Sequence, residues 1–211
     1  MAHASSPRLL ALHALRLKGV AEPAEVAEYV DGAPEVLAVE LEGLEQQGYV
    51  VRRRGRFPGY ALTDDGRILG ERLLADELDA GDLRRRVEAA YDEFLRFNGQ
   101  LLTVCTQWQL RTVDGEAVTN DHTDPDHDAA VIDALVALDQ HVQPVLASLQ
   151  EALDRFGPHQ RRLRYALDRV VAGEHDWLTK PMFPSYHSCW FELHEDLLAT
   201  LGRERRREGS P

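Results

Sequence analysis

The first 75 residues break into short segments with apolar residues at helical spacing, and glycine or proline separates the segments. Leucines from Leu9 to Leu17 predict a first helix, and Val26 to Val30 predict a second, shorter one. Leu37, Leu41 and Leu44 follow at positions i, i+4 and i+7, which places them on one face of a third helix. The pattern therefore predicts three short helices at the start of the chain.

Two β-prone segments come after the third helix. Tyr49 to Val51 and Tyr60 to Leu62 flank an arginine-rich loop that contains Gly55 and Gly59. Branched and aromatic residues on either side of such a loop are typical of two short strands joined in a hairpin. Thr63 can then cap a fourth helix. Three helices followed by a basic hairpin predict a winged helix-turn-helix domain over residues 1–78.

The rest of the chain predicts longer helices. Apolar residues at three- and four-residue spacing predict one helix near residues 82–111 and another near residues 129–156. Gly157 and Pro158 are expected to end the second of these helices. A further helix is expected over residues 163–170 and a last one over about residues 185–205. Long apolar stripes suit helix–helix packing, so we expect the helices near residues 82–111 and 129–156 to serve dimerisation.

The expected fold class is mainly α with a small β-hairpin wing. An α-helical domain for dimerisation and effector binding, over residues 79–211, follows the winged helix-turn-helix. Residues 112–128 are expected to form a polar loop, and strand content outside the wing is expected to be near zero. Low-complexity sequence is confined to a charged tail from Arg203 to Glu208.

Charge narrows the classes of function. The chain has 211 residues, with 24 Lys and Arg against 36 Asp and Glu, and a formal net charge of −12. A chain this acidic is not a general nucleic-acid coater, so any DNA contact must come from a local basic patch. The chain shows no apolar stretch of membrane-spanning length and no signal-peptide pattern. Together with two distant cysteines, Cys105 and Cys189, this is typical of a reduced, cytoplasmic protein without a membrane partner.

Three segments of the N-terminal region carry a resemblance to a known kind of protein. They are Leu41-x-x-Leu44-x-x-x-Gly48-Tyr49-Val50, the run from Arg52 to Arg56, and Tyr60-Ala61-Leu62-Thr63-x-x-Gly66. These segments resemble the winged helix-turn-helix of MarR- and PadR-type bacterial transcriptional regulators over about a third of the chain. The resemblance implies that the third helix enters the major groove of DNA and that the hairpin touches the backbone or the minor groove.

The predicted hairpin supplies the basic patch. Four arginines lie close together in it: Arg52, Arg53, Arg54 and Arg56. A guanidinium group pairs with phosphate in fork geometry, so these residues are candidate DNA contacts. The alternative is a solvated charge run that balances an acidic protein.

The predicted third helix is acidic instead. Its outward positions, which the resemblance aligns with DNA, include Glu35, Ala38, Glu42 and Gln46. No lysine or arginine occurs between Lys18 and Arg52. Glutamate accepts a hydrogen bond from cytosine N4, but several glutamates near phosphates are repulsive. Specific binding would then depend mainly on the wing, or the domain would be a degenerate winged helix that binds a protein partner without DNA.

Aromatic residues and histidines gather in the C-terminal half. The candidates to line a pocket for a flat, largely apolar effector are Trp108, Trp177, Tyr186, His187, Trp190 and His194. An amphipathic aromatic lining with a few polar groups suits such a ligand. The alternative is an aromatic core or a dimer interface.

Metal binding and catalysis find less support. His122, His127 and Asp124 are the metal candidates, but capping of the following helix by the acidic residues is the simpler account of that segment. The chain has no glycine-rich phosphate loop, no Gly-x-Ser-x-Gly and no His-Glu-x-x-His. Cys105 lies in an apolar stripe, which is typical of a buried structural thiol.

The sequence thus predicts a non-enzymatic transcriptional regulator without a cofactor. We expect it to bind double-stranded DNA as a homodimer, because twofold operators match twofold proteins, and to respond to a small apolar or aromatic effector. The alternative is a winged-helix module that docks a protein partner.

Overall fold

A computed structural model describes residues 2–113 and 115–203 of the chain. The protein is mainly helical, with a three-stranded antiparallel sheet and a two-stranded hairpin. The expected class of a mainly α protein with a small β-hairpin is therefore confirmed. Within the described ranges, no helix is both long enough and apolar enough to cross a membrane.

The N-terminal elements alternate short helices with short strands. They are α1 (Pro7–Lys18), β1 (Val20–Ala21), α2 (Pro23–Val30), α3 (Pro34–Gln46), β2 (Val50–Arg53), β3 (Gly59–Leu62) and α4 (Asp64–Leu78). The first three helices each begin at a proline. Proline suits that position because its missing N–H has no partner inside the helix and its fixed φ is already helical.

The predicted apolar stripe of α3 forms part of a buried core. Leu37, Leu41 and Leu44 are almost fully buried, and they belong to one cluster with Leu12 of α1 and Val26 of α2. Burial of a leucine side chain contributes about 1.5–3 kcal/mol. The inner face of α3 therefore holds the three N-terminal helices together and leaves its other face to solvent.

The three-stranded sheet has the strand order β1-β3-β2. β2 and β3 pair antiparallel from Val50 opposite Leu62 to Arg53 opposite Gly59. Gly59 has φ 138°, and a Cβ on it would lie 2.6 Å from the carbonyl carbon of Ala21. Only glycine fits here, because β1 approaches β3 closely and the backbone conformation is one that side chains disfavour.

Thr63 and Gly66 join the hairpin to α4. The Thr63 hydroxyl donates to the carbonyl of Gly48 at 2.8 Å and accepts from the backbone N–H of Gly66 at 3.1 Å, so it caps the helix as predicted. A Cβ on Gly66 would lie 1.8 Å from the carbonyl oxygen of Tyr49. The Thr63-x-x-Gly66 pattern thus has a packing cause: the helix starts directly against the chain that enters β2.

The remaining elements are mostly long helices. They are α5 (Leu83–Gln109), β4 (Leu110–Val113), β5 (Glu116–Thr119), α6 (Pro125–Ala152), a 3-10 turn (Asp154–Phe156), α7 (Gly157–Val171), α8 (Asp176–Thr179) and α9 (Tyr186–Leu201). The predicted last helix ran to about residue 205, but α9 ends at Leu201, where Gly202 takes φ 63°. The predicted charged tail spans Arg203 to Glu208. From residue 204 onward it lies outside the described residues.

The prediction of a polar loop over residues 112–128, with almost no strand outside the wing, was wrong. β4 and β5 form an antiparallel hairpin in which Leu110 faces Thr119 and Val113 faces Glu116. Gly115, with φ 85°, lies between the two strands. An Asp-Gly dipeptide between two β-prone segments, here residues 110–113 and 116–119, is a strong hairpin signal. It was missed because nearly all residues of the two strands are exposed, so they show no apolar alternation.

The predicted break after residue 156 was also misplaced. α6 ends at Ala152, Leu153 is extended, and α7 already begins at Gly157. Leu153 forms an isolated parallel bridge with His3: His3 donates its N–H to Ala152, and its carbonyl accepts from the N–H of Asp154. The N-terminal segment thus satisfies the backbone where the helix stops, and Pro158 starts the next helix instead of ending the previous one.

The chain forms two compact units, each built from several segments. The first comprises residues 2–88, 149–158 and 194–203, and the second residues 89–148 and 159–193. The division into two sequence-continuous domains after residue 78 stays a prediction. The two packed units are instead each built from segments that are separated along the sequence.

A buried polar network joins the segments of the first unit. The guanidinium of Arg155 donates to Asp196 and to Glu77, both at 3.2 Å, and His13 Nε2 lies 2.7 Å from Asp196. All four side chains are buried. Buried charges are tolerated when they are paired in this way, whereas removing one partner leaves the other uncompensated. The network is therefore structural.

Candidate nucleic-acid interface

The β2–β3 hairpin is a basic and exposed part of the first unit. All residues from Val51 to Pro58 are exposed, and this stretch contains the four predicted arginines, Arg52, Arg53, Arg54 and Arg56. Alternate residues of a strand point to opposite faces, so Arg52 and Arg53 leave β2 in opposite directions. The hairpin therefore presents positive charge on more than one side.

Arg52 is anchored at the base of the hairpin. It donates to the Tyr60 hydroxyl at 3.1 Å and forms an ion pair with Glu22 at 3.1 Å. The hydrogen bond to Tyr60 and the charge of Glu22 raise the pKa of Arg52 above its already high ordinary value. Its guanidinium also lies over the Tyr60 ring, 4.8 Å from the centroid. Arg52 is thus committed to contacts within the protein.

The other three arginines have no such anchor. In residues 2–113 and 115–203, neither Arg53, Arg54 nor Arg56 forms an ion pair. Arg56 lies over the ring of Phe57, which is 72% exposed beside it. These three guanidinium groups are therefore available to a ligand that supplies negative charge.

The outward face of α3 carries the opposite charge. Of the four positions predicted to face DNA, Glu35, Glu42 and Gln46 are exposed and Ala38 is half-buried. Within the described part of the chain, Glu35 and Glu42 form no ion pair.

The other two glutamates of α3 are engaged. Glu40 pairs with Arg8 at 3.4 Å, and Glu45 accepts from the backbone N–H of Arg52 at 3.3 Å. Val36 and Val39, 49% and 70% exposed, lie on the outward face. This face is therefore acidic and partly apolar.

The predicted effector residues fall into separate sets of ring contacts. Trp190 stacks on Phe94 at 4.6 Å, lies 6.3 Å from the Tyr186 ring and donates its indole N–H to Asn98. The Tyr186 hydroxyl donates to Asp139 at 3.0 Å, and burial, followed by the Asp139 charge, raises the pKa of Tyr186 well above its ordinary value. Both ring systems are fully buried, which is typical of a core.

Trp177 and Trp108 belong to two other sets. Trp177 packs against Tyr165 and Phe183 at 5.2 and 4.7 Å and is half-buried. Trp108 is buried and packs against two histidine rings. His187 is half-buried, and this burial lowers its pKa, while His194 is fully buried. The ring contacts thus join Trp190 with Tyr186, while Trp177 and Trp108 each pack against other rings.

Both cysteines are buried free thiols. Burial raises the pKa of Cys105 to about 12 and, as the largest cause, that of Cys189 to about 11. A thiol that stays protonated at neutral pH is a poor nucleophile. The structure thus places Cys105 as the sequence predicts, in buried surroundings.

The predicted metal candidates have divided roles. Asp124 accepts from the backbone N–H groups of Asp126 and His127 at 3.2 and 3.1 Å, so it caps α6. The His127 ring contacts the carbonyl of Gln107 at 2.9 Å. His122 instead meets Asp128 and His175, whose ligand atoms all lie within 4.8 Å of one another.

The sequence-based metal candidates lie in the same segment as Asp128, but sequence reasoning paired neither Asp128 nor His175 with His122. Burial alone would raise the pKa of Asp128, but hydrogen bonds from Asn120 and His122 outweigh it and hold this pKa below its ordinary value. Asp128 lies only six positions after His122, a separation short enough for the sequence to suggest a contact. No sequence signal points to His175, because only the fold brings it to this place.

Comparisons with known proteins identify no relative. No family model, no curated protein and no solved structure matches this chain. The likeness to MarR- and PadR-type regulators therefore stays a resemblance that the residues alone carry.

Proposed function

We propose that this chain is a DNA-binding transcriptional regulator of the winged helix-turn-helix kind, which contacts double-stranded DNA through the β2–β3 hairpin and acts as a homodimer. One observation carries the proposal: Arg53, Arg54 and Arg56 are exposed together on the hairpin and form no ion pair within the described residues. Arginine pairs with phosphate through two parallel N–H donors, so three such groups suit a nucleic-acid backbone.

The order of the elements supports this proposal. α1, β1, α2 and α3 are followed by the hairpin, and β1 pairs with β3 at the sheet edge. A winged helix-turn-helix has this order, with its wing between the last two strands. The hairpin loop between Arg53 and Gly59 takes the place of the wing.

The hairpin alone makes few contacts, which is why the proposal includes a homodimer. The acidic outer face of α3 opposes phosphate, so the base contacts from this helix are limited to groups such as Gln46 and Ala38. A twofold protein doubles the phosphate contacts and matches a twofold operator. The aromatic residues once expected to bind an effector are packed into separate contacts and supply no support for that part.

The proposal is tested by fluorescence anisotropy of the purified chain on labelled duplex DNA from the region upstream of its own gene. We expect binding that survives unlabelled random competitor and weakens as salt rises, because bound phosphates release counterions. Arg53→Ala removes one phosphate contact from each protomer of the dimer and is therefore expected to lower the slope of log affinity against log salt by about 1.8, at about 0.9 per contact. Arg72→Ala is the matched control, since Arg72 is an exposed arginine of the same unit that pairs with Asp76.

The absence of binding at low salt would overturn the proposal. So would an Arg53→Ala variant whose slope equals that of the wild type and of Arg72→Ala. Either outcome would leave the hairpin arginines as a solvated charge run.

A second candidate function is favoured by the outer face of α3. Val36 and Val39 are exposed beside Glu35 and Glu42, a mixture of apolar and acidic groups that suits a basic protein surface. In this case the domain would dock a protein partner. Val39→Lys would then abolish binding of that partner, while a DNA-binding role through the hairpin predicts that Val39→Lys strengthens DNA binding.

A further inference from the structure

Three potential metal ligands from three elements converge within the second unit. His122 follows β5, Asp128 lies in the first turn of α6, and His175 directly precedes α8. His122 Nδ1 is 2.9 Å from Asp128 Oδ2, and the ligand atoms of all three residues lie within 4.8 Å of one another. The hydrogen bond between His122 and Asp128 uses one imidazole. It does not explain why a second imidazole, that of His175, lies beside the same carboxylate.

Asn120 orients the aspartate. Its amide donates to Asp128 Oδ1 at 2.8 Å and to the carbonyl of Trp108 at 3.1 Å, and both Asn120 and Asp128 are buried. Because Oδ1 is occupied in this way, Oδ2 is the oxygen that faces the histidines. Carboxylates that ligate metals are commonly held by a hydrogen bond of this kind.

Trp108 positions the two imidazoles. Its buried indole lies 4.5 Å from the His122 ring and 5.0 Å from the His175 ring, measured between centroids. His122 also has φ 58°, a conformation uncommon for residues other than glycine, and its N–H donates to Asn120 Oδ1 at 3.2 Å. Two rings held on one indole lose little further freedom when both bind the same ion.

We propose that His122, Asp128 and His175 bind one divalent transition-metal ion of the zinc class, with a further coordination position open to water. Two imidazoles and one carboxylate are the donor set of three-ligand zinc sites and of ferrous centres. Calcium and magnesium prefer oxygen donors alone. The proposal is independent of DNA binding.

The spacing of the donors fits such an ion. Zinc bonds of roughly 2.0–2.1 Å place tetrahedral ligand atoms about 3.3 Å apart. The donor separations run from 2.9 Å to at most 4.8 Å. Both histidines are exposed, so rotation about their side-chain bonds is the adjustment by which the three donors would reach bonding distance. Their exposure also gives the ion an entry path and leaves room for a water ligand.

The test titrates the full chain, first freed of metal with a chelator, with Co²⁺ and then displaces the Co²⁺ with Zn²⁺. We expect one Co²⁺ per chain with a visible d–d absorption band that Zn²⁺ abolishes. His175→Gln is expected to weaken Co²⁺ binding by at least about 100-fold, because loss of an outer partner alone costs 10–100-fold.

His127→Gln is the matched control. His127 lies one position before Asp128 but contacts the Gln107 carbonyl, so we expect unchanged Co²⁺ affinity. His122→Gln repeats the test from a second element, and far-UV circular dichroism verifies that each variant is folded. The proposal is overturned if Co²⁺ produces no d–d band, or if folded His175→Gln and His122→Gln both bind Co²⁺ as tightly as His127→Gln does.

Discussion

The outer face of α3 and the β2–β3 hairpin are neighbours along the chain with opposite chemistry. α3 contains four glutamates and no lysine or arginine, whereas residues 52–56 contain four arginines and no acidic residue. Both surfaces are exposed, and both carry side chains without ion pairs in the part of the chain that the structure describes. The difference therefore lies in the sign of the charge that each offers a ligand.

This contrast indicates which of the two surfaces could supply affinity for DNA. In the regulators that the N-terminal segments resemble, the third helix reads the major groove. Here the electrostatic interaction with DNA phosphates is attractive at the hairpin and repulsive at Glu35 and Glu42. In the proposed function the hairpin therefore supplies the binding energy, and α3 is a scaffold whose inner leucines are part of the core. Three variants test this division of roles.

The largest effect is expected from the inner face of α3. Leu41 is fully buried, so Leu41→Ala is expected to lower the free energy of unfolding by about 2–5 kcal/mol. Urea denaturation followed by circular dichroism measures the change. Val39→Ala on the exposed face is the control, with an expected change within about 0.5 kcal/mol. Equal losses in the two variants would contradict the scaffold role.

An intermediate effect is expected from the outer face of α3. At roughly 7 Å from a phosphate in water, each glutamate costs about 0.6 kcal/mol. The double variant Glu35→Gln with Glu42→Gln removes four such charges from the dimer, about 2.4 kcal/mol in all, and is therefore expected to raise DNA affinity about 50-fold at low salt. Anisotropy titrations measure it, with Glu151→Gln and Asp133→Asn together, at two exposed positions away from α3, as the control for net charge. If the double variant binds no better than the control, α3 does not face DNA.

The smallest effect is expected from Arg52. Its ion pair with Glu22 already occupies it, so Arg52→Ala is expected to reduce the salt slope of DNA binding by less than Arg53→Ala does. The same salt titration compares the two variants. A larger reduction for Arg52→Ala would show that the Glu22 pair opens on DNA.

The sequence predicted the N-terminal region well because its signals are local. The stripe of Leu37, Leu41 and Leu44 is a helical period, and the glycines around the arginine run mark a turn within a few residues. Burial at these three leucines confirms the predicted inner face of α3.

The features that were missed depend on distant or weak signals. The end of α6 at Ala152 depends on backbone pairing with His3, which lies at the other end of the sequence. β4 and β5 have no buried face, so their sequences show no apolar alternation from which strands could be predicted. The convergence of His175 with Asp128 spans 47 positions and follows only from tertiary packing.

The most direct test of the central claim is the salt dependence of DNA binding by the wild type and by a chain with Arg53→Ala, Arg54→Ala and Arg56→Ala on the same duplex. Three lost phosphate contacts in each protomer, six in the dimer, at about 0.9 each predict a slope smaller by about 5.4, with unfolding by urea unchanged. The same slope in both chains would contradict the assignment of DNA binding to the hairpin.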